Sequence, residues 1–452
     1  MRDLTRGNPL KQLLLFALPV LMGNLFQQLY SMVDTVIVGR YLGENAMAAV
    51  GATGSVHFFI MGFVQGTTSG LAIRTAQAFG RGDDAEIRRS VRCCLILGLG
   101  LTIVMTSLSV PFLRPLLRFM LLPDELLNDA ALYIQVICGG MFSAIYYNIM
   151  SGIMRALGDS RTPLIFLIVS ALLNVVLDIL FIATFGMGVE GAALATVVAQ
   201  STSALCCFIY GRRHCKYLHT ASERKNITWK FCMEHLALGV PMGLQFSVTA
   251  IGSMTLQSAF NRFGTAGVTA YTVACKVESL AMQPSMALGV TMANYMGQNK
   301  GAQRYDRIRQ GSRCAMGIGI TIAVLTAAFS MGLGEKVMGL FFTGEITEQV
   351  RQWAMLYLNF TAFFYPFLAS IFVFRNSLQG LGEKAAPMLG GVIELIARVS
   401  VASLLPGVLG YLGACMAPSA AWMGAGIWTM VWYFHLERGW RKQGLLKGGR
   451  AA

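Results

Sequence analysis

Charge is what this sequence has least of. Asp, Glu, Lys and Arg make up 13% of its 452 residues, while 55% are hydrophobic. A soluble domain is about a quarter charged. A chain this poor in charge cannot cover its apolar mass with wettable surface, which excludes an ordinary water-soluble globule and leaves a membrane protein. The signatures of catalysis are missing as well. There is no G-x-x-x-x-G-K-[ST] phosphate loop, no H-E-x-x-H and no G-x-S-x-G. The five His are scattered, and the ten Cys form no C-x-x-C pair. Those Cys lie mostly in or beside apolar runs and read as small fillers, not as disulfides or metal ligands. No enzyme, no cofactor and no structural metal is expected.

Long apolar runs are what the sequence has instead. A spanning helix needs roughly 20 residues, and twelve runs reach that length: about 11–38, 46–73, 90–113, 128–153, 163–184, 189–211, 232–260, 268–295, 310–333, 348–376, 386–406 and 412–436. They are too long and unbroken for barrel strands, which alternate over about ten residues. Backbone groups in lipid must be paired within the segment, so these are helices. The N-terminus, MRDLTRGNPLKQLLLFALP, resembles the charged start of a signal peptide. Its apolar stretch runs past signal length with no small-residue cleavage site, so it reads as an uncleaved first helix.

The formal net charge of +14 could point to nucleic acid. Its distribution argues otherwise. With the N-terminus placed in the cytoplasm, 28 of the 36 Lys and Arg fall in the termini and cytoplasmic loops, 375–384 counted among them, and six in the opposite loops. Lys276 and Arg398 fall inside helices. That asymmetry is the positive-inside rule. It predicts a multi-pass protein of the cell membrane with both termini cytoplasmic, whose partners are the lipid bilayer and a small molecule, with no nucleic acid.

The chain also repeats itself. MRALGDSRTP (154–163) recurs as LQGLGEKAAP (378–387), GRYLGENAMAAVGA (39–52) loosely as NRFGTAGVTAYTVA (261–274), and AFGRGDDAEIRR (78–89) more weakly as YMGQNKGAQRYDRIR (295–309). The three echoes keep their order and an offset near half the chain. They divide the chain into an N-terminal six-helix lobe (1–211), a basic cytoplasmic linker (212–230), a C-terminal six-helix lobe (231–436) and a cytoplasmic tail (437–452). Six is an even number, so both lobes start on the same side and are related about an axis along the membrane normal. Repeats meeting at a central cleft are how secondary transporters are built. The expected fold class is therefore all-α integral membrane, twelve transmembrane helices in two pseudo-symmetric six-helix lobes around a central cleft.

Ionisable groups inside spans are costly and face a cavity or a partner. In the first helix Gly23, Gln27, Ser31 and Asp34 lie on one face, and Pro19 two turns before Gln27 favours a kink. Arg40, six residues on, keeps a second reading of Asp34 open: an acid at the helix end. The fifth helix holds Asn174 and Asp178 at i, i+4, the sixth Thr196 and Gln200, and the fourth Tyr133, Asn148 and Ser151. Two carboxylates with amide and hydroxyl oxygens can take a hard monovalent cation or share a proton. Their counterparts by repeat offset are about Thr255, Arg398 and Ala402, so the C-terminal half lacks the acidic pair. There Glu394 and Arg398 read as a structural ion pair. Glu278 and its N-terminal counterpart His57 are secondary candidates for titration, with satisfied core groups as the alternative.

These features resemble the MATE (multidrug and toxic compound extrusion) transporters over essentially the whole chain. The resemblance is carried by the two six-helix halves, LPVLMGNLFQQLYSMVDTVIVG near the start, RALGDSRTP after the fourth helix and NVVLDILFI in the fifth. The acids of the N-terminal half resemble the DinF-like branch. That resemblance implies a cation-responsive site at Asp34, Asn174, Asp178, Asn148 and Thr196, with Gln27 and Tyr133 beside it and Pro19 as the branch's first-helix proline. It implies a monomeric antiporter that exports amphipathic organic cations in exchange for H⁺ or Na⁺. Na⁺ at that site would be the one metal involved. The rivals are a lipid-linked precursor flippase, which would need a large basic cleft, and a membrane sensor that moves nothing.

Overall fold

The computed structural model describes residues 2–119, 122–218, 227–339 and 347–446. Among these there is no strand. In chain order the α-helices are α1 (Pro9–Leu42), α2 (Glu44–Ala52), α3 (Gly54–Arg81), α4 (Asp84–Phe119), α5 (Asp124–Gly139), α6 (Met141–Ala156), α7 (Arg161–Asp178), α8 (Val189–His214), α9 (Trp229–Asn261), α10 (Gly264–Ala281), α11 (Gln283–Gly301), α12 (Tyr305–Gly339), α13 (Glu348–Ala362), α14 (Tyr365–Ser370), α15 (Asn376–Gly380), α16 (Ala385–Leu404), α17 (Pro406–Leu409) and α18 (Tyr411–Lys442). Two π-helical turns interrupt the series, Ile179–Thr184 directly after α7 and Ile371–Arg375 between α14 and α15.

Each of the twelve expected spans falls on a helix or on a pair of helices divided by a break. Eight helices are long and apolar enough to cross a membrane by themselves, and α5–α6 and α13–α15 do so as pairs bent by 46° and 54°. The pair α10–α11, broken at Met282 ahead of Pro284, and α18 complete the series. The helices overrun the apolar runs by several residues because their polar ends find partners. Past Leu436, Trp440 is buried and Glu437 pairs with Arg309 at 2.8 Å, so α18 continues into the expected tail. The beginning of the expected linker is also ordered. Lys216 and Tyr217 bind the Asp84 carboxylate at 2.5 and 2.9 Å. Residues 219–226 of that linker and 447–452 of the tail lie outside the described residues.

The repeat seen in the sequence has a local physical basis. The helix ending at Ala156 closes with Gly158 donating to Arg155 and Asp159 to Met154, with Gly158 at φ +86°. Its echo closes with Gly382 donating to Gln379 and Glu383 to Leu378, with Gly382 at φ +82°. Both are Schellman closures, which call for a left-handed residue at that point. The bends match too, α5–α6 at Gly140 and α13–α14 at Phe364, 224 residues apart.

Two compact units result, one of Met1–Asp3 with Met22–Gly243, the other of Leu4–Leu21 with Leu244–Ala452. The division falls inside α1 and inside α9, each time two residues past a proline, Pro19 or Pro241. Within the first unit the approach of α3 to α9 is unusually close. Gly62, Gly66 and Gly70 are spaced by four on α3, and Gly239 and Gly243 on α9, so backbone meets backbone, as small residues allow in lipid.

Candidate functional site

The first unit gathers the polar side chains that its spans carry. Asp34 is 8% exposed, Asn174 2% and Asp178 0%. α1 supplies Asp34 and α7 supplies Asn174 and Asp178, one turn apart on the buried face. The two carboxyl groups lie within hydrogen-bonding reach of each other. Asn174 Nδ2 donates to Thr196 Oγ1 of α8 at 3.4 Å. Tyr133 of α5 is buried, within electrostatic range of both aspartates, and packs in an apolar cluster with Ile37, Val38 and Ile182.

Local helix geometry helps place these groups. Asp178 is the last residue of α7, and the wider π turn begins at the next residue. Such turns shift the register of the succeeding helix by one residue and cluster at functional sites. Tyr133 sits two turns before the Gly139–Gly140 break that bends α5 away from α6.

What the arrangement leaves unpaired is informative. Asp34 Oδ1, both carboxylate oxygens of Asp178 and Asn174 Oδ1 are buried with no hydrogen-bond partner. Buried acceptors are nearly always paired, and an unpaired one costs about 1–3 kcal/mol. Four such oxygens from two helices form a nest that a proton or a small hard cation satisfies. Carboxylate and amide oxygens are the donor set such ions prefer. No group of three or more His, Cys, Asp and Glu suited to a metal ion occurs among the described residues.

The fate of the other candidates is mixed. Gln27 is exposed on α1, and Tyr30, three residues on, lies beside Gln27 and Gln200 and within electrostatic range of both aspartates. Tyr30 had no place in the sequence reading. The signal was its position, three residues after Gln27 and four before Asp34. Asn148 lies on α6, where its carbonyl accepts from Ser151 Oγ at 3.1 Å, and no hydrogen bond joins its side chain to the aspartates among the described residues. Pro19 is held within an unbroken α1, fifteen residues before Asp34. His57 is half-buried on α3, with its backbone bonded to Thr53. Glu278 belongs to the second unit, where Tyr357 donates to its Oε2 at 3.0 Å and its Oε1 is buried and unpaired. The helix-end reading of Asp34 fails, because Asp34 is buried, Arg40 is exposed, and no ion pair joins them among the described residues.

Comparison with known proteins agrees with the halves and the whole. The MatE family pattern matches twice, over residues 19–180 and again over 241–404. This chain belongs to the MATE transporter family. The double match falls on the two repeats. A probable multidrug resistance protein of Bacillus subtilis, YpnP, is 28% identical over 91% of this chain and 92% of its own. A probable multidrug resistance protein of Thermotoga maritima, NorM, is 26% identical over 96% and 94%. A solved structure described as the outward-facing conformation of a multidrug resistance MATE family transporter of the MOP superfamily superimposes with a TM-score of 0.89. It is 24% identical and covers 97% of this chain and 98% of its own, which is a likeness of fold. The fold is thus the twelve-span, two-lobe MATE architecture, and the protein is a multi-pass membrane transporter of a family that is not enzymatic.

Proposed function

We propose that this chain is a secondary efflux antiporter. It exports amphipathic organic cations in exchange for H⁺ or Na⁺, working as a monomer in the cell membrane with both termini cytoplasmic. Asp34 and Asp178 take the coupling ion, assisted by Asn174 and Thr196, with Gln27, Tyr30 and Tyr133 around them. One observation carries the reading: two carboxyl groups from α1 and α7 meet inside the spans, with buried oxygens of theirs left unpaired. Two adjacent acids in a low-dielectric site cannot both stay ionised without a cation or a proton between them. A coupling ion drives transport only by binding two conformations unequally, and a site divided between helices is one whose affinity changes when those helices shift. The drug-resistance names of the relatives point the same way for the substrate.

The test is export of a fluorescent cationic dye from reconstituted vesicles, at fixed membrane potential, with the sodium and pH gradients varied separately. One of the two gradients is expected to drive flux. Asp34→Asn and Asp178→Asn are each expected to abolish it, and the double variant to be no worse than either. Full gradient-driven flux in both single variants would remove the site assignment.

A further inference from the structure

The second unit holds a polar cluster of the opposite sign. Arg375 stands at the end of the π turn Ile371–Arg375, and Glu394 and Arg398 stand one turn apart on α16. Arg398 Nη2 meets Glu394 Oε1 at 2.8 Å, and Arg375 Nη1 meets Glu394 Oε2 at 3.3 Å. The sequence placed Arg375 in a cytoplasmic loop and read Glu394–Arg398 as a closed pair. Instead one buried carboxylate serves two guanidinium groups, Arg398 buried and Arg375 half-buried. With the Gln245 amide turned so that its oxygen faces Arg375, Nε and Nη1 donate to it at 3.1 and 3.2 Å. Arg398 is 6% exposed, and its Nε is buried with no partner. Glu278 feels the charge of Arg398, yet its hydrogen bond is to Tyr357, and no ion pair joins it to either arginine among the described residues.

The neighbouring helix is shaped to this cluster. A Cβ at Gly252 of α9 would stand 3.0 Å from Arg398 Nη1 and 3.2 Å from its Cδ, and one at Gly391 would stand 3.1 Å from Gln245 Cγ. Glycine at both positions makes room for the long side chains. The placement also answers the acid site. At the offset of 224 that relates Gly158 to Gly382, the buried stripe Ser170, Asn174, Asp178 of α7 becomes Glu394, Arg398, Ala402 of α16. The same register therefore carries net negative charge in one unit and a balanced Glu394–Arg398 pair in the other, which Arg375 from the π turn makes net positive.

A buried guanidinium in excess of its carboxylate is expensive unless something anionic meets it. Its planar fork matches carboxylate and phosphate oxygens. We propose that the Arg375–Glu394–Arg398 cluster is an oxyanion-receiving site, which takes a carboxylate or phosphate borne by the exported amphiphile. This rests on the transport reading and narrows its substrate to zwitterionic amphiphiles, cationic at one end and acidic at the other.

The test compares rhodamine B, a zwitterion with a free carboxylate, with its ethyl ester, a simple cation. Binding to the purified full-length protein is followed by fluorescence anisotropy in phosphatidylcholine nanodiscs. The acid is expected to bind at least 10-fold more tightly than the ester. Arg398→Gln is expected to bring the ratio to about one, and Arg398→Lys, which keeps the charge, to retain most of the preference. A melting curve for each variant checks folding. If Arg398→Gln does not fold, the wild-type ratio and the lysine variant still decide. Equal binding of acid and ester by the wild type, or binding of neither, overturns the proposal. So does an unchanged ratio in a folded Arg398→Gln. Displacement of the acid by phosphatidylglycerol added at one lipid per protein would assign the cluster to a lipid headgroup and also overturns it. Gradient-driven flux of the ester without preference for the acid would sink this inference alone. Absence of flux for both dyes would sink the transport reading.

Discussion

The contact between α3 and α9 gives the sharpest structural prediction. A methyl group at Gly70 would stand 2.6 Å from Gly239 Cα, 2.9 Å from Gly239 N and 2.8 Å from the Leu238 carbonyl oxygen. All three are backbone atoms, so no side chain can swing aside. Ordinary contact for such a carbon begins near 3.4 Å, and the two helices must part by about 1 Å. Overpacking of this kind costs about 1–3 kcal/mol. Parting them also opens the small apolar cluster of Ile73, Leu238 and Met242. The upper half of that range is therefore expected for Gly70→Ala, about 2–3 kcal/mol. At about 2–4 °C per kcal/mol for a unit of this size, the melting temperature should fall by about 5–10 °C. Gly100→Ala is the control. It is exposed on α4, with nothing within 4 Å of the added carbon. There alanine should stabilise the helix by up to about 1 kcal/mol. The assay is thermal unfolding in detergent followed by tryptophan fluorescence. The double variant Gly70→Ala/Gly239→Ala should lose less than the sum of its parts, because the helices have already separated. Gly70→Ala melting at or above Gly100→Ala would refute the backbone-to-backbone contact.

Two further predictions concern single side chains. Tyr30→Phe removes a hydroxyl that lies beside Gln27 and Gln200 and within electrostatic range of both aspartates. A lost polar contact of this kind is worth about 0.5–1.5 kcal/mol, so half-maximal flux should need about 2–10-fold more coupling ion, and an unchanged half-saturation would exclude Tyr30 from the site. Gln303 closes α11 in the left-handed region at φ +55°, where its first-repeat counterpart is Gly82 at φ +73°. Gln303→Gly should raise stability by about 0.5–1 kcal/mol in chemical unfolding. Gln303→Ala, which keeps the strained backbone, should give no such gain.

The features that were legible in the sequence follow from lipid and from simple spacing. Apolar runs announce spans because a bilayer tolerates nothing else, and Asn174 and Asp178 share a face because four residues make about one helical turn. The features that were not legible depend on where a helix departs from regularity. The π turn after Asp178 is made of ILFIAT, which reads like any apolar helix. Arg375 read as a loop residue because polar residues follow it in RNSLQG, yet the helix continues to Gly380 and holds it half-buried against Glu394. Tyr30 reads as core because an aromatic residue in an apolar run normally is, and only its tertiary neighbours, the two aspartates among them, show otherwise. Asn148 is a case that spacing alone leaves open. Its residue type and helix suit the site, and among the described residues its side chain makes no hydrogen bond to the aspartates.

A duplicated scaffold gives each unit the same places at which to bury a polar group. Pro19 and Pro241 align α1 with α9 at an offset of 222, which pairs Tyr30 with Gly252, just as the loop glycines pair Asn174 with Arg398. In the first unit a tyrosine and short oxygen-bearing side chains leave a compact nest of acceptors. In the second the tyrosine position is glycine, and the space beside it is taken by the longer arginine, a donor. Size and polarity are exchanged together. A small hard cation suits the first arrangement and a planar oxyanion suits the second, because each supplies what its site is short of. If both units are used in transport, then exchanging Asn174 for Arg, or Arg398 for Asn, should fail for different reasons. The first places a cation where the coupling ion belongs and should abolish gradient dependence. The second should leave gradient-driven flux of an ester dye intact and lose only the preference for the acid.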